Sequence, residues 1–134
     1  MARRLILDTS ILIAAERSEV ELDHIIEDDD DVVIAAVTAA ELLTGVELAV
    51  GVHRDRRAKR VHSFFEVVPV EPYDLTTAEH HAILLAHVRR SGEPRGAHDL
   101  MIAATATATG RTILSSDRAA RFDDLPGIAA IIVN

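Results

Sequence analysis

Four acidic residues, Asp8, Glu41, Asp99 and Asp117, each border an apolar stretch of this 134-residue chain. Asp8 follows "RLIL", Glu41 comes shortly after "VVIAAV", Asp99 opens "DLMIAATA", and Asp117 follows "TILSS". In a parallel sheet the carboxyl ends of the strands share one edge, where ligands bind. If these runs belong to such a sheet, four carboxylates converge on that edge. Crowded carboxylates raise one another's pKa, and a divalent cation resolves the conflict. Mg²⁺ and Mn²⁺ take hard oxygen ligands and keep several waters. Two such ions about 3.5–4 Å apart can clamp the attacking and leaving oxygens of a phosphodiester, and a single ion activates its bound water. No protein nucleophile is then required.

Each acid also has a purely local explanation. Asp is a favoured helix N-cap, which suits Asp8. Thr38-Ala-Ala-Glu41 reads as a capping box, with Glu41 reaching back to the Thr38 backbone. Asp99 and Asp117 in first turns suit the helix dipole. Capping accounts for the acids one at a time; it does not require all four on one edge. Nor does it require Gly45, one turn beyond Glu41 on the same helical face, which clears space beside it.

The elements that must position these acids follow from hydrophobic periodicity. Strands are predicted over 4–8, 32–37, 67–70, 112–115 and 129–133. Helices are predicted over 9–17, 20–28, 38–50, 54–66, 76–90 and 98–109. The alternation implies an α/β protein with a mostly parallel sheet covered on both faces, and continuous apolar strands such as "VVIAAV" agree. The length suits one domain over 1–134. Gly92, Pro94 and Gly96 mark a loop before His98, and Gly110 ends the helix that follows.

Composition removes several chemistries. There is no cysteine, so disulfides, thiolate metal sites and thiol nucleophiles are excluded. The formal charge of −8 argues against binding nucleic acid through bulk charge. No apolar run approaches the roughly 20 residues needed to span a bilayer, and no signal-peptide pattern is present. No phosphate-cradling glycine motif or G-x-S-x-G elbow occurs. The one dense basic run is "HRDRRAKR", where His53, Arg56, Arg57 and Arg60 share a helical face. It is either a phosphate-binding strip or a solvated helix with an Asp55–Lys59 pair. Arg118 and Arg121, beside Asp117, form a second basic pair. "EDDDD", 27–31, reads as a solvated loop rather than a metal site, and His98, beside Asp99, as an ordinary first-turn histidine or as a support for that acid.

Taken together, "LILDTSILI", "TAAELLTGVE", "HDLMIAATA" and "ILSSD" resemble the four motifs of a PIN domain, and more narrowly a VapC-type toxin ribonuclease of a bacterial toxin–antitoxin pair. The resemblance runs from Leu5 to Val133. It implies a three-layer fold with a five-stranded sheet ordered 3-2-1-4-5 and a cytoplasmic, Mg²⁺- or Mn²⁺-dependent endoribonuclease. It carries over Asp8, Glu41, Asp99 and Asp117 as the acidic quartet, with Asp8, Asp99 and Asp117 as metal ligands. Thr9 and Ser115, with Arg56, Arg57, Arg60 and Arg118, become substrate-positioning candidates; Ser115 stands where such proteins often carry Thr. It further implies a transfer or ribosomal RNA substrate, a VapB-like antitoxin that blocks the site, a homodimer and no membrane association. Two alternatives remain. One is a haloacid-dehalogenase-type phosphatase, although Ser10 stands where its second Asp belongs and Lys59 is the only lysine. The other is a PIN-like binding module without catalysis.

Overall fold

The computed structural model describes residues 2–133. Five parallel strands form one sheet in the order β3-β2-β1-β4-β5. Along the chain run β1 (Arg4–Leu7), α1 (Thr9–Glu16), α2 (Leu22–Ile25), β2 (Asp31–Ala35), α3 (Ala36–Leu48), α4 (Gly51–Val67) and β3 (Val70–Glu71). There follow α5 (Leu75–Ser91), α6 (Ala97–Thr109), β4 (Thr112–Ser115), 3-10 turns at Arg118–Ala120 and Phe122–Asp124, and β5 (Ala130–Ile132). The strand order is the one the PIN-domain resemblance implies.

Side chains of the central strands alternate between two cores, as the two-residue period of a strand requires. Ile6, Val33, Ala35 and Ile113 face a core closed by α5, α6 and Phe122. Leu7, Ile34 and Leu114 face the other, closed by Ile11 and Leu12 of α1 with Leu42, Phe64 and Phe65 of α3 and α4. With both faces covered, Leu5, Ile6 and Leu7 are all buried, which explains the unbroken apolar run. In α6 the small residues Ala103, Ala104 and Ala106 let the helix lie close to its neighbours. Thr105, Thr107 and Thr109 return their hydroxyls to carbonyls four residues back, at 2.7–3.1 Å, so the polar groups do not spoil the helix. Gly110 ends it with φ +65°.

Several predicted boundaries move. β2 stops at Ala35, and Ala36 and Val37 already belong to α3; periodicity cannot separate a buried strand from a buried helix start within one apolar run. Val67 closes α4, and β3 shrinks to Val70–Glu71, since Pro69 cannot donate to a sheet and enters the pairing only through its carbonyl, 3.0 Å from the Ile34 amide. The helix predicted over 20–28 is a single turn. In the acidic loop Glu27, Asp28 and Asp29 are exposed as expected. Asp30 is not solvated: its side chain is enclosed and ion-paired with Arg3, and this pairing holds its carboxyl down at about 2. Among the described residues no helix is long and apolar enough to cross a membrane.

Candidate active site

Asp8 follows the last residue of β1, so its side chain lies at the carboxyl edge of the central strand. It caps α1 by accepting from the Ile11 amide at 3.1 Å, and the same Oδ1 accepts from Ser10 Oγ at 2.7 Å. Its Oδ2 accepts from Ser115 Oγ at 2.6 Å. Only 3% of Asp8 is exposed. Burial pushes its carboxyl above the usual range, the Ser115, Ser10 and Ile11 hydrogen bonds pull it back, and the charge of Asp117 adds to the rise.

Ser115 ends β4, next to β1 in the sheet, and is fully buried. While donating to Asp8 it accepts from the Asp117 amide at 3.0 Å, so one hydroxyl ties the first acid to the fourth. Asp117 in turn caps the 3-10 turn that follows, accepting from the Ala119 amide at 2.9 Å.

Glu41 corrects the sequence reading. The residue preceding α3 is Ala35, not Thr38, and no side chain caps the helix. Thr38 is a fully buried residue of the first turn, so the expected capping box does not form. Glu41 instead accepts from Thr9 Oγ1 at 2.8 Å, and that hydroxyl lies 3.3 Å from Thr38 Oγ1. Its other oxygen lies 3.6 Å from His98 Nδ1, so His98 bridges toward α3 rather than standing alone in its first turn. The space beside Gly45 is taken as well. A Cβ there would lie 3.0 Å from Arg57 Nη1, so the missing side chain makes room for a guanidinium.

Asp99 sits in the first turn of α6, whose capping residue Gly96 supplies no side chain. Burial pushes its carboxyl up, and the charges of Asp117, Asp8 and Glu41 push it further, with His98 opposing. All three other acids thus act electrostatically on Asp99. Of the four acids, Glu41 is ion-paired, through the His98 contact. They do not form a closed cage. The only three acidic side chains among the described residues with oxygens within 4.8 Å of one another are Glu27, Asp29 and Asp30, and there Arg3 already supplies the cation.

From Thr9 and Glu41 an open groove of about 790 Å³ runs past Leu42 and Gly45 to Arg57 and Arg60. The two arginines share Glu16 Oε1, at 2.9 and 3.4 Å. His53, Arg56, Arg57 and Arg60 line an adjoining concavity, as their predicted common face requires, and Lys59 joins them there. The Asp55–Lys59 pair is not among the ion pairs of the described residues, whereas Arg54 pairs with Glu47 at 3.1 Å. Arg121 turns from the acids to Glu93, 3.3 Å away.

Sequence reasoning overlooked Ser10 as a partner of Asp8, although a hydroxyl two residues after a capping Asp is within reach of its carboxylate. Nor does the sequence signal the bond from Arg95 to the Ala120 carbonyl, 2.9 Å, or the close approach of Asp99 to Gly96, since a contact across the fold and a missing Cβ leave no local pattern.

The PIN domain family matches residues 5–128. Ribonuclease VapC5 of Mycobacterium tuberculosis is 34% identical over 128 residues, which is 94% of this chain and 90% of that protein. A tRNA(fMet)-specific endonuclease VapC of Salmonella typhimurium is 30% identical over 95 residues, 71% of this chain and 70% of the relative. Among solved structures, VapBC-5 of Mycobacterium tuberculosis, a member of the VapBC family of toxin–antitoxin systems, superposes with a TM-score of 0.78 at 27% identity. The match covers 97% of this chain and 98% of that one.

Proposed function

The chain belongs to the PIN-domain family and, within it, to the VapC-type proteins, and on that premise we propose that it is a divalent-metal-dependent endoribonuclease toxin restrained by a VapB-like antitoxin. The observation that carries this reading is the acidic edge. Asp8, Glu41, Asp99 and Asp117 arrive from four different elements, and the charges of Asp117, Asp8 and Glu41 all bear on Asp99.

The donor set fits Mg²⁺ or Mn²⁺, since it is all carboxylate and hydroxyl oxygen with no nitrogen or sulfur ligand at its centre. Such an ion supplies Lewis-acid polarisation of a phosphodiester and a more acidic bound water. Asp8 and Asp99 would be the principal ligands, with Asp117 completing the set. Ser10 and Ser115 orient Asp8 by donating to both of its oxygens, the kind of outer support that metal-binding carboxylates commonly receive. Glu41, held by Thr9 through one oxygen, would take a proton on the other, which faces His98 at 3.6 Å. Arg57 and Arg60 along the groove, Arg56 in the adjoining concavity and Arg118 beside Asp117 would hold substrate phosphates. This local basic strip answers the objection raised by a net charge of −8.

The Salmonella relative is a tRNA(fMet)-specific endonuclease, which supports transfer RNA over ribosomal RNA as the substrate. The likeness to VapBC-5, a member of a toxin–antitoxin family, supports an antitoxin partner for this chain. A guanidinium from the antitoxin fits a carboxylate cluster through bidentate pairing and would compete with the metal. The active form is a single-domain protein assembled as a homodimer in the cytoplasm. The phosphatase alternative loses its chemistry, because Ser10 spends its hydroxyl on Asp8.

The test is direct. Purified protein should cleave RNA with Mg²⁺ or Mn²⁺ and stop in EDTA, and Asp99→Asn should abolish cleavage with an unchanged circular dichroism spectrum. Undiminished cleavage in EDTA overturns metal dependence, and no cleavage under any condition favours the non-catalytic module.

A further inference from the structure

The loop Glu93–Gly96, between α5 and α6, touches both ends of the gap between Asp99 and Asp117. Arg95 Nη1 donates to two successive carbonyls, Ala120 at 2.9 Å and Arg121 at 2.7 Å. These carbonyls close the 3-10 turn that Asp117 caps. The contact is returned. Arg121 adopts φ +48°, a left-handed conformation that side chains rarely take, and its guanidinium reaches back to Glu93 at 3.3 Å. The loop before one acid and the turn after the other are thus clasped in both directions.

Gly96 acts on Asp99 itself. A Cβ at Gly96 would lie 2.9 Å from Asp99 Oδ2 and 3.4 Å from its carboxyl carbon. The backbone there, φ −61° and ψ 134°, suits any residue, so conformational freedom does not explain the glycine. What the missing Cβ permits is the seat of the Asp99 carboxylate over the helix start. Without a cation, the two acids repel each other, and of the neighbouring charges that of Asp117 acts most strongly on Asp99. Something has to hold them in register.

We propose that Arg95 and Gly96 are positioning residues for the metal centre: Arg95 anchors the segment carrying Asp117, and Gly96 leaves the space in which the Asp99 carboxylate is seated. The inference rests on the quartet reading given above and adds to it the device that sets the spacing of two of its members. In this role neither residue need contact RNA or the ion.

The test uses the full chain with Mn²⁺ as probe. Wild type, Arg95→Met, Arg95→Lys and Gly96→Ala are titrated with Mn²⁺ by isothermal calorimetry, and RNA cleavage is measured over a range of Mn²⁺ concentrations. Loss of an outer support for a metal ligand weakens binding by about 10–100-fold. Arg95→Met and Gly96→Ala should therefore raise the Mn²⁺ dissociation constant at least about tenfold. Their KM for RNA should not change, and cleavage should recover at high Mn²⁺. Arg95→Lys keeps a multiple donor near the two carbonyls and should restore much of the affinity. In Gly96→Ala only the end of a short side chain must move, so this variant should fold even if Arg95→Met does not. An unchanged dissociation constant in the folded variants overturns the proposal, as does a raised KM for RNA at wild-type Mn²⁺ affinity. Absence of Mn²⁺ binding by wild type is a different result, which overturns the quartet reading on which the proposal stands.

Discussion

Asp8→Asn should make the metal-free protein more stable and the metal-loaded protein less stable than wild type. The Asp8 carboxylate is 3% exposed, forms no ion pair among the described residues and is pushed toward its neutral form by burial. Asparagine can keep the local bonds. Its oxygen in the place of Oδ1 still accepts from Ser10 and Ile11. Its amide nitrogen then faces Ser115 Oγ, which must accept instead of donate, and Ser10 Oγ, 3.2 Å from Ser115 Oγ, can take the displaced proton. Replacing charge-assisted bonds by neutral ones costs about 1 kcal/mol each. An unpaired buried ion costs several kcal/mol, so its removal outweighs that loss and leaves a net gain of about 1–2 kcal/mol. For a domain of this size that gain corresponds to a Tm higher by roughly 3–8 °C. At a Mn²⁺ concentration near 100 times the dissociation constant, wild type gains about 2.7 kcal/mol from binding, whereas the variant gains nothing and the order of stabilities reverses. The pH dependence supplies a second check. A carboxyl raised in the folded state stabilises the metal-free protein fully below the unfolded pKa, near 4, and that contribution disappears as pH rises through the folded value. The Asn variant should lack this decline. Differential scanning calorimetry with and without Mn²⁺, and in EDTA, reads all of it. A less stable metal-free variant would show that the bonds of Asp8 outweigh its buried charge, and equal Mn²⁺ shifts in both proteins would remove Asp8 from the ligand set.

Glu41→Gln keeps an acceptor for Thr9 Oγ1, so it should melt within about 2 °C of wild type while cleaving RNA about 10²-fold or more slowly; full activity would make Glu41 a structural partner of Thr9 only. Changing Arg56, Arg57 and Arg60 together to Ala should lower the slope of log affinity for a single-stranded RNA against log salt by about 2, at about 0.7 per phosphate contact, with Mn²⁺ affinity unchanged; an unaltered slope returns the strip to the solvent. Asp30, held down at about 2 chiefly by Arg3, contributes stability present above the ordinary carboxylate pKa near 4 and lost as pH falls toward the folded value. Acid unfolding followed by circular dichroism between about pH 4 and 2 should therefore be shallower in Arg3→Ala, and an unchanged curve would place the acid lability elsewhere.

The sequence by itself determined the layers and singled out four candidate acids. Strand and helix periods, set by local geometry, are written in residue spacing, and a carboxylate at the end of an apolar strand can be read without a partner. The carboxyl-edge placement of Asp8 and Asp117 follows from a parallel sheet once the alternation of elements is seen. Only the tertiary structure decided what each acid touches. Thr38-Ala-Ala-Glu41 satisfies a capping pattern, yet Thr38 is already inside the first turn of the helix and Glu41 turns to Thr9 on a different element. Gly45 suggested space beside an acid, and the space belongs to Arg57. "EDDDD" looked like one solvated loop, and burial against Arg3 singled out Asp30. In each case a local rule gave a group a partner within a few residues, and the fold supplied a competing partner from elsewhere in the chain. Local sequence records the cost of bending a chain; it does not record which distant group the bend brings into hydrogen-bonding range. Asp8 shows both halves of the answer: its spacing makes it the cap of α1, and only Ser115, 107 residues away, completes its place at the acidic edge.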